Sequence, residues 1–277
     1  MDQGKPSESR DRAISEPEAQ DVEDRSSPRT PVIYAIVRKY GEDEMARPAT
    51  SLWWSGFAAG LSISFSLLAQ AILQAHLPDA PWRAVVTNFG YCIGFIVVVL
   101  SRQQLFTEST ITAVLPVLAE FTFGKLVGLC RLWSIVLLAN IAGTLFAAGF
   151  FSIPEVLPPE TRQEMLNLSM HILNHGWLAM LIKATGAGFI MAALVWMLPG
   201  ADSAQFHVIT MMTWLISAGG FMHIVAGSVE AFMLLLNGQL GWAPMLLQFG
   251  LPVLAGNILG GTALFALLAH AQVMKEI

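Results

Sequence analysis

Residues 95–110 read FIVVVLSRQQLFTEST, an apolar run that breaks off at Ser101 and resumes at Leu105. A bilayer core needs about 20 apolar residues of helix, and the run before this break is too short to supply them. Arg102 and Glu108 at the centre of a lipid-exposed helix would each cost about 2.5–3.5 kcal/mol. The stretch therefore predicts a membrane span that is interrupted, with its polar residues facing protein or water.

The rest of the chain also has the composition of a membrane protein. Of its 277 residues, 55% are hydrophobic and only 13% are charged, which excludes an ordinary soluble surface. The net charge of −5 comes largely from a polar N-terminal tail. The sequence has no cluster of basic residues, so we expect no nucleic-acid partner. Five further apolar windows are long enough to cross a bilayer: 52–74, 127–152, 176–198, 205–236 and 246–270. We predict an all-α membrane protein with six transmembrane helices.

Three regions follow from the change in pattern along the chain. Residues 1–30 are polar and lack apolar periodicity, which predicts a disordered tail. Residues 31–46 place apolar side chains at helical spacing between charged ones, as in an amphipathic helix at the membrane interface. A helix that packs on the protein itself is the alternative for this segment. Residues 47–272 form the predicted transmembrane domain.

The distribution of basic residues predicts the orientation of the chain. With six spans both termini lie on one side, and that side carries more Lys and Arg than the other: Arg38, Lys39, Arg47, Lys125, Arg131 and Lys275 against Arg83 and Arg162. The positive-inside rule therefore predicts a multi-pass protein of the inner (plasma) membrane with both termini in the cytoplasm.

The third and sixth spans contain similar short motifs. Residues 140–143 read NIAG and residues 257–260 read NILG, so Asn140 and Asn257 occupy corresponding places. Closely spaced glycines also occur in both the first and the fourth span, where they would allow helices to approach closely. These repeated motifs predict two repeats of three helices each. Because each repeat has an odd number of spans, the two repeats must be inverted in the membrane.

The fifth span contains an interruption that matches the one in the second. Its centre holds Gly219 and Gly220, then the ionisable His223, then Gly227. Unwound backbone in a bilayer leaves N–H and C=O groups that only a solute or water can satisfy, so paired interruptions indicate a transport site. The N-terminal ends of the half-helices would favour an anion there.

His223 is the first candidate for a functional residue. An ionisable side chain near the membrane midplane is costly and usually faces a cavity, and an imidazole can exchange a proton near neutral pH. The alternative is a neutral histidine hydrogen-bonded to a neighbouring helix. Thr107 lies in the matching break, where its hydroxyl could bind a solute or His223, or cap a helix. Lys183 lies near the start of its span, so we expect it to reach the membrane surface.

His171 and His175 form the only candidate metal motif, a pair at i and i+4. A membrane metalloenzyme could use them with the acidic residues of the 153–175 loop, but no further ligand follows at metal-ligand spacing. The sequence also lacks a nucleophile motif, a phosphate-binding loop and a nucleotide fingerprint. We therefore predict no metal, no cofactor and no enzymatic activity.

Several motifs together resemble the formate/nitrite transporter family over residues 47–270. The segment LFT at 105–107 is similar to that family's motif in the loop of the broken second helix, and GFMH at 220–223 is similar to its G-F-x-H motif in the fifth. The glycine-rich GNILGG at 256–261 resembles its sixth helix. Residues 47–60 resemble a less studied branch that includes a bacterial inner-membrane protein of unassigned substrate.

The resemblance implies an aquaporin-like fold with broken second and fifth helices and one pore in each subunit of a homopentamer. It implies a small-molecule solute, a monovalent anion such as formate, nitrite or hydrosulfide, carried alone or with a proton. By the same analogy His223 is the central pore histidine and Thr107 its hydrogen-bond partner. Apolar residues beside the breaks would form narrow slits: Leu105, Phe106 and Phe221.

The chain departs from that family at three places. Gly227 stands where an asparagine is usual, and Glu108 stands where a small or neutral residue is usual and would oppose an anion unless protonated or paired. The family's lysine before the fourth helix has no counterpart in residues 160–178, where His171 is the nearest basic candidate. Glu108 and Gly227 favour the alternative function, a pore for a small neutral solute such as water, glycerol or ammonia.

Overall fold

The structure, a computed structural model, describes Ser15 and residues 28–276. The predicted disorder of residues 1–30 therefore lies almost wholly outside the described residues. Within 28–276 all regular structure is helical. In chain order the helices are α1 (Thr30–Ala46), α2 (Ala49–His76), α3 (Arg83–Leu100), α4 (Phe106–Ala119), α5 (Phe123–Phe151), α6 (Pro159–Ser169), α7 (Trp177–Gly200), α8 (Gln205–Ala218), α9 (Ile224–Leu236) and α10 (Trp242–Val273).

Five of these helices are long and apolar enough to cross a membrane, namely α2, α3, α5, α7 and α10. The shorter apolar helices α4 and α9 follow α3 and α8, which end at the two predicted interruptions. The first break occupies residues 101–105 and the second residues 219–223. A short 3₁₀ helix, Met170–Asn174, continues α6 toward α7.

Each break contains one residue in the left-handed backbone region. Gly220 has φ 61°, which glycine adopts without steric cost. Arg102 has φ 55°, which costs a residue with a Cβ about 1–2 kcal/mol. The guanidinium of Arg102 lies 5.3 Å from the ring centroid of Tyr40 in α1, a cation–π contact that offsets part of this strain.

The first and third helices of each half approach at backbone distance. A Cβ added to Gly60 of α2 would overlap the carbonyl oxygen of Asn140 in α5. In the other half, a Cβ added to Gly260 of α10 would overlap the carbonyl oxygen of Thr185 in α7. The equivalent contacts support the prediction of two related three-helix units, because small residues let the backbones meet in both.

Helix α1 packs against the transmembrane helices, which was the alternative for this segment. Tyr34, Val37 and Gly41 are buried, and the Tyr34 hydroxyl lies 2.8 Å from Nδ1 of His270 in α10. A Cβ at Gly41 would overlap the carbonyl oxygen of Thr112 in α4. The helix is therefore tied to the broken second span, while its position at a membrane interface stays a prediction.

Replacing Gly60 by Ala should destabilise the protein, because the added methyl group meets the Asn140 carbonyl and overpacking costs about 1–3 kcal/mol. The matched control is Gly149→Ala in α5, where a Cβ would meet nothing within 4 Å. Thermal unfolding of both variants in detergent measures the difference. Equal melting temperatures for the two variants would contradict the close packing of α2 and α5.

Candidate functional site

A hydrogen bond joins the two breaks at the centre of the fold. Oγ1 of Thr107 lies 2.7 Å from Nε2 of His223, and the two residues are 0% and 2% exposed. Nδ1 of His223 accepts the backbone N–H of Ala226 at 3.2 Å and caps the start of α9. Since an accepting nitrogen carries no proton, the neutral imidazole has its hydrogen on Nε2 and donates it to Thr107.

The side chain of Asn140 makes the hydrogen bonds that backbone groups at the first break lack. Its Oδ1 accepts the N–H of Phe106, the first residue of α4, at 2.9 Å. Its Nδ2 donates to the carbonyl of Gln104 in the break at 2.9 Å and to that of Gly56 in α2 at 2.8 Å. The Phe106 N–H and the Gln104 carbonyl have no helical partner, so the amide satisfies a requirement of the interruption, and its bond to the Gly56 carbonyl ties the break to α2.

Asn257 makes the same set of hydrogen bonds in the second half. Its Oδ1 accepts the N–H of Ile224, the first residue of α9, at 2.8 Å. Its Nδ2 donates to the carbonyls of Met222 and Ala184 at 2.9 and 2.8 Å. Each asparagine thus connects the third helix of its half to the first helix, to the end of the break and to the first residue of the following half-helix. Asn140 and Asn257 were predicted to act in packing. In the structure they bond the backbone where each helix is interrupted.

Aromatic rings surround the central hydrogen bond. Phe95 of α3 meets the His223 ring edge-on, with centroids 5.1 Å apart. Leu105 and Phe106 are buried, and the Phe106 ring packs on Trp133 at 5.7 Å, so its side chain points into the protein. Of the apolar residues expected at the slits, Phe221 lines a cavity, whereas Leu105 and Phe106 line neither of the two cavities beside the breaks.

The cavity on the side of α1 has a volume of about 300 Å³ and is called the tail-side cavity. Its walls include Arg102, Gln104, Glu108 and Glu44. The Thr112 hydroxyl donates to Oε2 of Glu44 at 2.6 Å, and burial raises the pKa of Glu44 above its ordinary value. Within residues 28–276 Oε1 of Glu108 is buried without a hydrogen-bond partner. Glu108 therefore lines this cavity while one of its carboxyl oxygens is enclosed in the protein.

The cavity on the opposite side of the breaks has a volume of about 280 Å³ and is called the histidine-side cavity. His223 lies in its wall, and basic and acidic side chains share it: His171, His175, Lys183 and Glu230. Lys183 does not extend to the membrane surface as expected, because its Nζ donates to the carbonyl of Gly220 in the break at 3.1 Å. The unwound backbone supplies an acceptor that the sequence pattern does not reveal.

Glycines make room for aromatic rings beside this cavity. The ring of Phe221 lies against Gly219 and against Gly186 in α7, where added Cβ atoms would come within 2.6 and 2.5 Å of it. A Cβ at Gly227 would lie 2.8 Å from the ring of Phe249. The departure at Gly227 is therefore a packing feature: an asparagine there would displace a ring that lines the cavity.

A polar network in the histidine-side cavity was missed in the sequence. Nε2 of Gln70 in α2 donates to the hydroxyl of Ser217 in α8 at 3.0 Å, and that hydroxyl donates to Oδ1 of Asn88 in α3 at 2.8 Å. All three residues line the cavity. The available signal was the presence of amide side chains inside apolar spans, where polar groups usually face a cavity.

The paired histidines each lie within hydrogen-bond distance of a backbone carbonyl. Among the described residues no group of three or more His, Cys, Asp or Glu side chains could hold a metal ion. Nδ1 of His171 lies 2.8 Å from the carbonyl of Leu168, and Nδ1 of His175 lies 2.9 Å from the carbonyl of His171. Both imidazoles contribute their remaining edges to the histidine-side cavity.

Two broken helices that meet at a polar pair between opposed cavities define a membrane channel or transporter. The chain belongs to the formate/nitrite transporter family: that family's sequence model, described as formate/nitrite transporter, matches residues 31–271. The resemblance stated from the motifs is confirmed, as is the all-helical membrane fold. The chain is accordingly a transport protein and not an enzyme.

Several relatives show how far the similarity extends. The inner membrane protein YfdC of Escherichia coli is 45% identical over 92% of this chain and 82% of its own length. The formate channel FocA of Haemophilus influenzae is 26% identical, covering 78% of this chain and 84% of its own. Among solved structures, a pentameric formate channel with formate bound has a TM-score of 0.68 at 18% identity, covering 82% of this chain and 98% of that one.

Replacing Asn257 by Leu should sharply reduce stability, since it leaves the Ile224 N–H and the Met222 carbonyl buried without partners. Each such group costs about 1–3 kcal/mol. Thermal unfolding in detergent, with Asn167→Leu on the exposed face of α6 as control, measures the effect. Unfolding of Asn257→Leu at the wild-type temperature would show that the amide does not hold the break.

Proposed function

We propose that this protein is a channel or transporter that passes a small monovalent anion, of the formate or nitrite kind, or its conjugate weak acid. The observation that carries the proposal is the Thr107–His223 hydrogen bond between the two cavities. It is a buried polar contact at the point where both helices are interrupted, so a solute that replaces it can satisfy the same groups. The family match and the named formate channels among the relatives support this solute class.

The charges beside the breaks favour an anion. Helices α4 and α9 both begin at a break, and helix N-terminal ends carry partial positive charge. The histidine-side cavity adds the Lys183 ammonium and the imidazoles of His171 and His175. A small anion would be attracted into this cavity, whereas the apolar contacts of His223 with rings such as Phe95 make further movement of a bare charge costly.

His223 serves in this proposal as a neutral hydrogen-bond donor to the solute through Nε2. Proton coupling through the same ring, expected from the sequence, would place a second proton on Nδ1. That proton would face the N–H of Ala226 and break the cap of α9. Coupling through His223 therefore requires the start of α9 to rearrange in every transport cycle.

Assembly and location follow by analogy with the relatives. We place the protein in the inner membrane with cytoplasmic termini, because the Escherichia coli relative is an inner membrane protein and the basic residues favour that orientation. The formate channel of similar fold is a pentamer, and we propose the same assembly here. The strongly exposed apolar side chains would then face lipid or a neighbouring subunit: Leu138, Ile182, Leu247 and Leu268.

A pore for a small neutral solute is the second candidate. The observation in its favour is Glu108, which lines the tail-side cavity and would repel an anion when ionised. Stopped-flow swelling of proteoliposomes with water, glycerol and ammonia tests this function. Swelling no faster than in empty liposomes would exclude it.

His223→Ala should reduce formate and nitrite flux into proteoliposomes by about tenfold or more, since losing a hydrogen bond of about 1.4 kcal/mol in the rate-limiting state has that effect. His207→Ala, which removes an exposed imidazole at the start of α8, should conduct like the wild type. If His223→Ala conducts as fast as His207→Ala, the central histidine has no part in permeation.

A further inference from the structure

Glu230 is a buried acidic residue to which the permeation pathway described above assigns no role. It lies in α9 seven residues after His223, two helical turns along the same face, and is 8% exposed. Within residues 28–276 its Oε2 is buried without a hydrogen-bond partner, and the residue lines the histidine-side cavity. A carboxylate in this position is costly unless a cation or a proton donor joins it from the cavity.

His171 faces that carboxyl oxygen. Its Nε2 lies 3.5 Å from Oε2 of Glu230. Its Nδ1 lies 2.8 Å from the carbonyl of Leu168, which can only accept, so Nδ1 keeps its proton in every charge state. Only Nε2 of His171 therefore exchanges a proton. One proton between Nε2 and Oε2 gives either an ion pair or a neutral pair, and removing it leaves two opposed acceptors.

Water can reach His171 of this pair, in contrast to the central histidine. The side chain of His171 is 45% exposed and that of Glu230 is 10% exposed. His223 is 2% exposed and engages both ring nitrogens within the protein. A group that repeatedly gains and loses a proton needs a free nitrogen and a route to water. His171 has both, and its protonation leaves the cap of α9 intact.

The other ionisable groups of the cavity come from three neighbouring segments. Tyr91 belongs to α3, Lys183 to α7, and His175 follows the 3₁₀ helix that carries His171. Helix α2 contributes the uncharged Gln70. Lys183 lies beside the break through its bond to Gly220, so an anion drawn by its charge enters the cavity that the pair lines. The cavity thus holds a cation for the anion and a separate source of a proton.

We propose that His171 and Glu230 hold one exchangeable proton in the histidine-side cavity and transfer it to the incoming anion, so that the solute passes the break as its neutral conjugate acid. The N–H bond at Nε2 of the His171 imidazolium breaks and an O–H bond forms on the anion. The neutral imidazole then regains a proton from the external solution, relayed by water in the cavity, so one proton enters with each anion. His171 carries the proton, and Glu230 is a positioning residue that favours the charged imidazole.

This inference rests on the proposed anion transport and predicts its stoichiometry. In proteoliposomes that hold a pH-sensitive dye, wild-type protein should take up about one proton with each formate, and flux should fall as external pH rises from 5 to 8. Glu230→Gln should lower flux at pH 7 by about tenfold and shift the pH profile to lower pH, because the uncharged amide no longer favours the imidazolium. Glu230→Asp should restore part of the profile.

Two controls separate this role from a structural one. Glu155→Gln changes an exposed carboxylate in the loop before α6 and should leave flux and its pH profile unchanged. His171→Gln removes the proton carrier and should lose the pH-dependent flux that Glu230→Gln retains at low pH, so the test does not depend on the folding of one variant. The double variant should behave like His171→Gln, because Glu230 acts through that imidazole.

Different results would contradict the proton-transfer pair and the proposed anion transport. If wild-type protein carries formate without proton uptake, or if Glu230→Gln and His171→Gln keep the wild-type pH profile, the proton-transfer pair is wrong and anion transport stands. If the wild type carries no formate, nitrite or hydrosulfide at any pH, the proposed function itself fails, and this inference with it.

Discussion

The fold depends on satisfying backbone hydrogen-bonding groups inside a bilayer where the helix is interrupted. No neighbouring turn supplies partners there, and each buried N–H or C=O group left unpaired costs several kcal/mol. Asn140 and Asn257 meet this constraint in the same way, each accepting one N–H and donating to two carbonyls. The close contacts at Gly60 and Gly260 follow from it, because the first and third helices must approach for one amide to reach both.

The geometry of the functional site follows from the hydrogen bonds that the two asparagines make at the breaks. Once both breaks are held, Thr107 and His223 project toward one another at 2.7 Å, and a cavity remains on either side of them. The cavities differ in chemistry. One presents Glu44, Glu108 and Arg102, and the other presents Lys183 with the His171–Glu230 pair. A solute crossing the protein would therefore meet different charged groups before and after the central hydrogen bond.

Much of this arrangement was predictable because it rests on local rules. Charges and glycines inside apolar runs located both interruptions, and the repeated NIAG and NILG motifs pointed to the two asparagines. What the sequence did not show depends on contacts between distant segments. Nothing near Lys183 indicates that an unwound carbonyl lies within its reach, and nothing near Glu44 indicates that its helix packs against Thr112. The contact of the Phe106 ring with Trp133 of α5 also joins distant segments, while the slit expected at Phe106 stays a prediction.

The central claim is that both broken spans meet at a buried polar pair that separates two solute-accessible cavities. A cryo-electron microscopy structure of the protein in lipid nanodiscs tests it most directly. The account predicts interruptions at residues 101–105 and 219–223, Asn140 and Asn257 bonded to the first N–H of the following half-helices, and the His223 ring facing Thr107 inside each subunit. Continuous second and fifth helices, or an imidazole at position 223 that faces lipid, would contradict it.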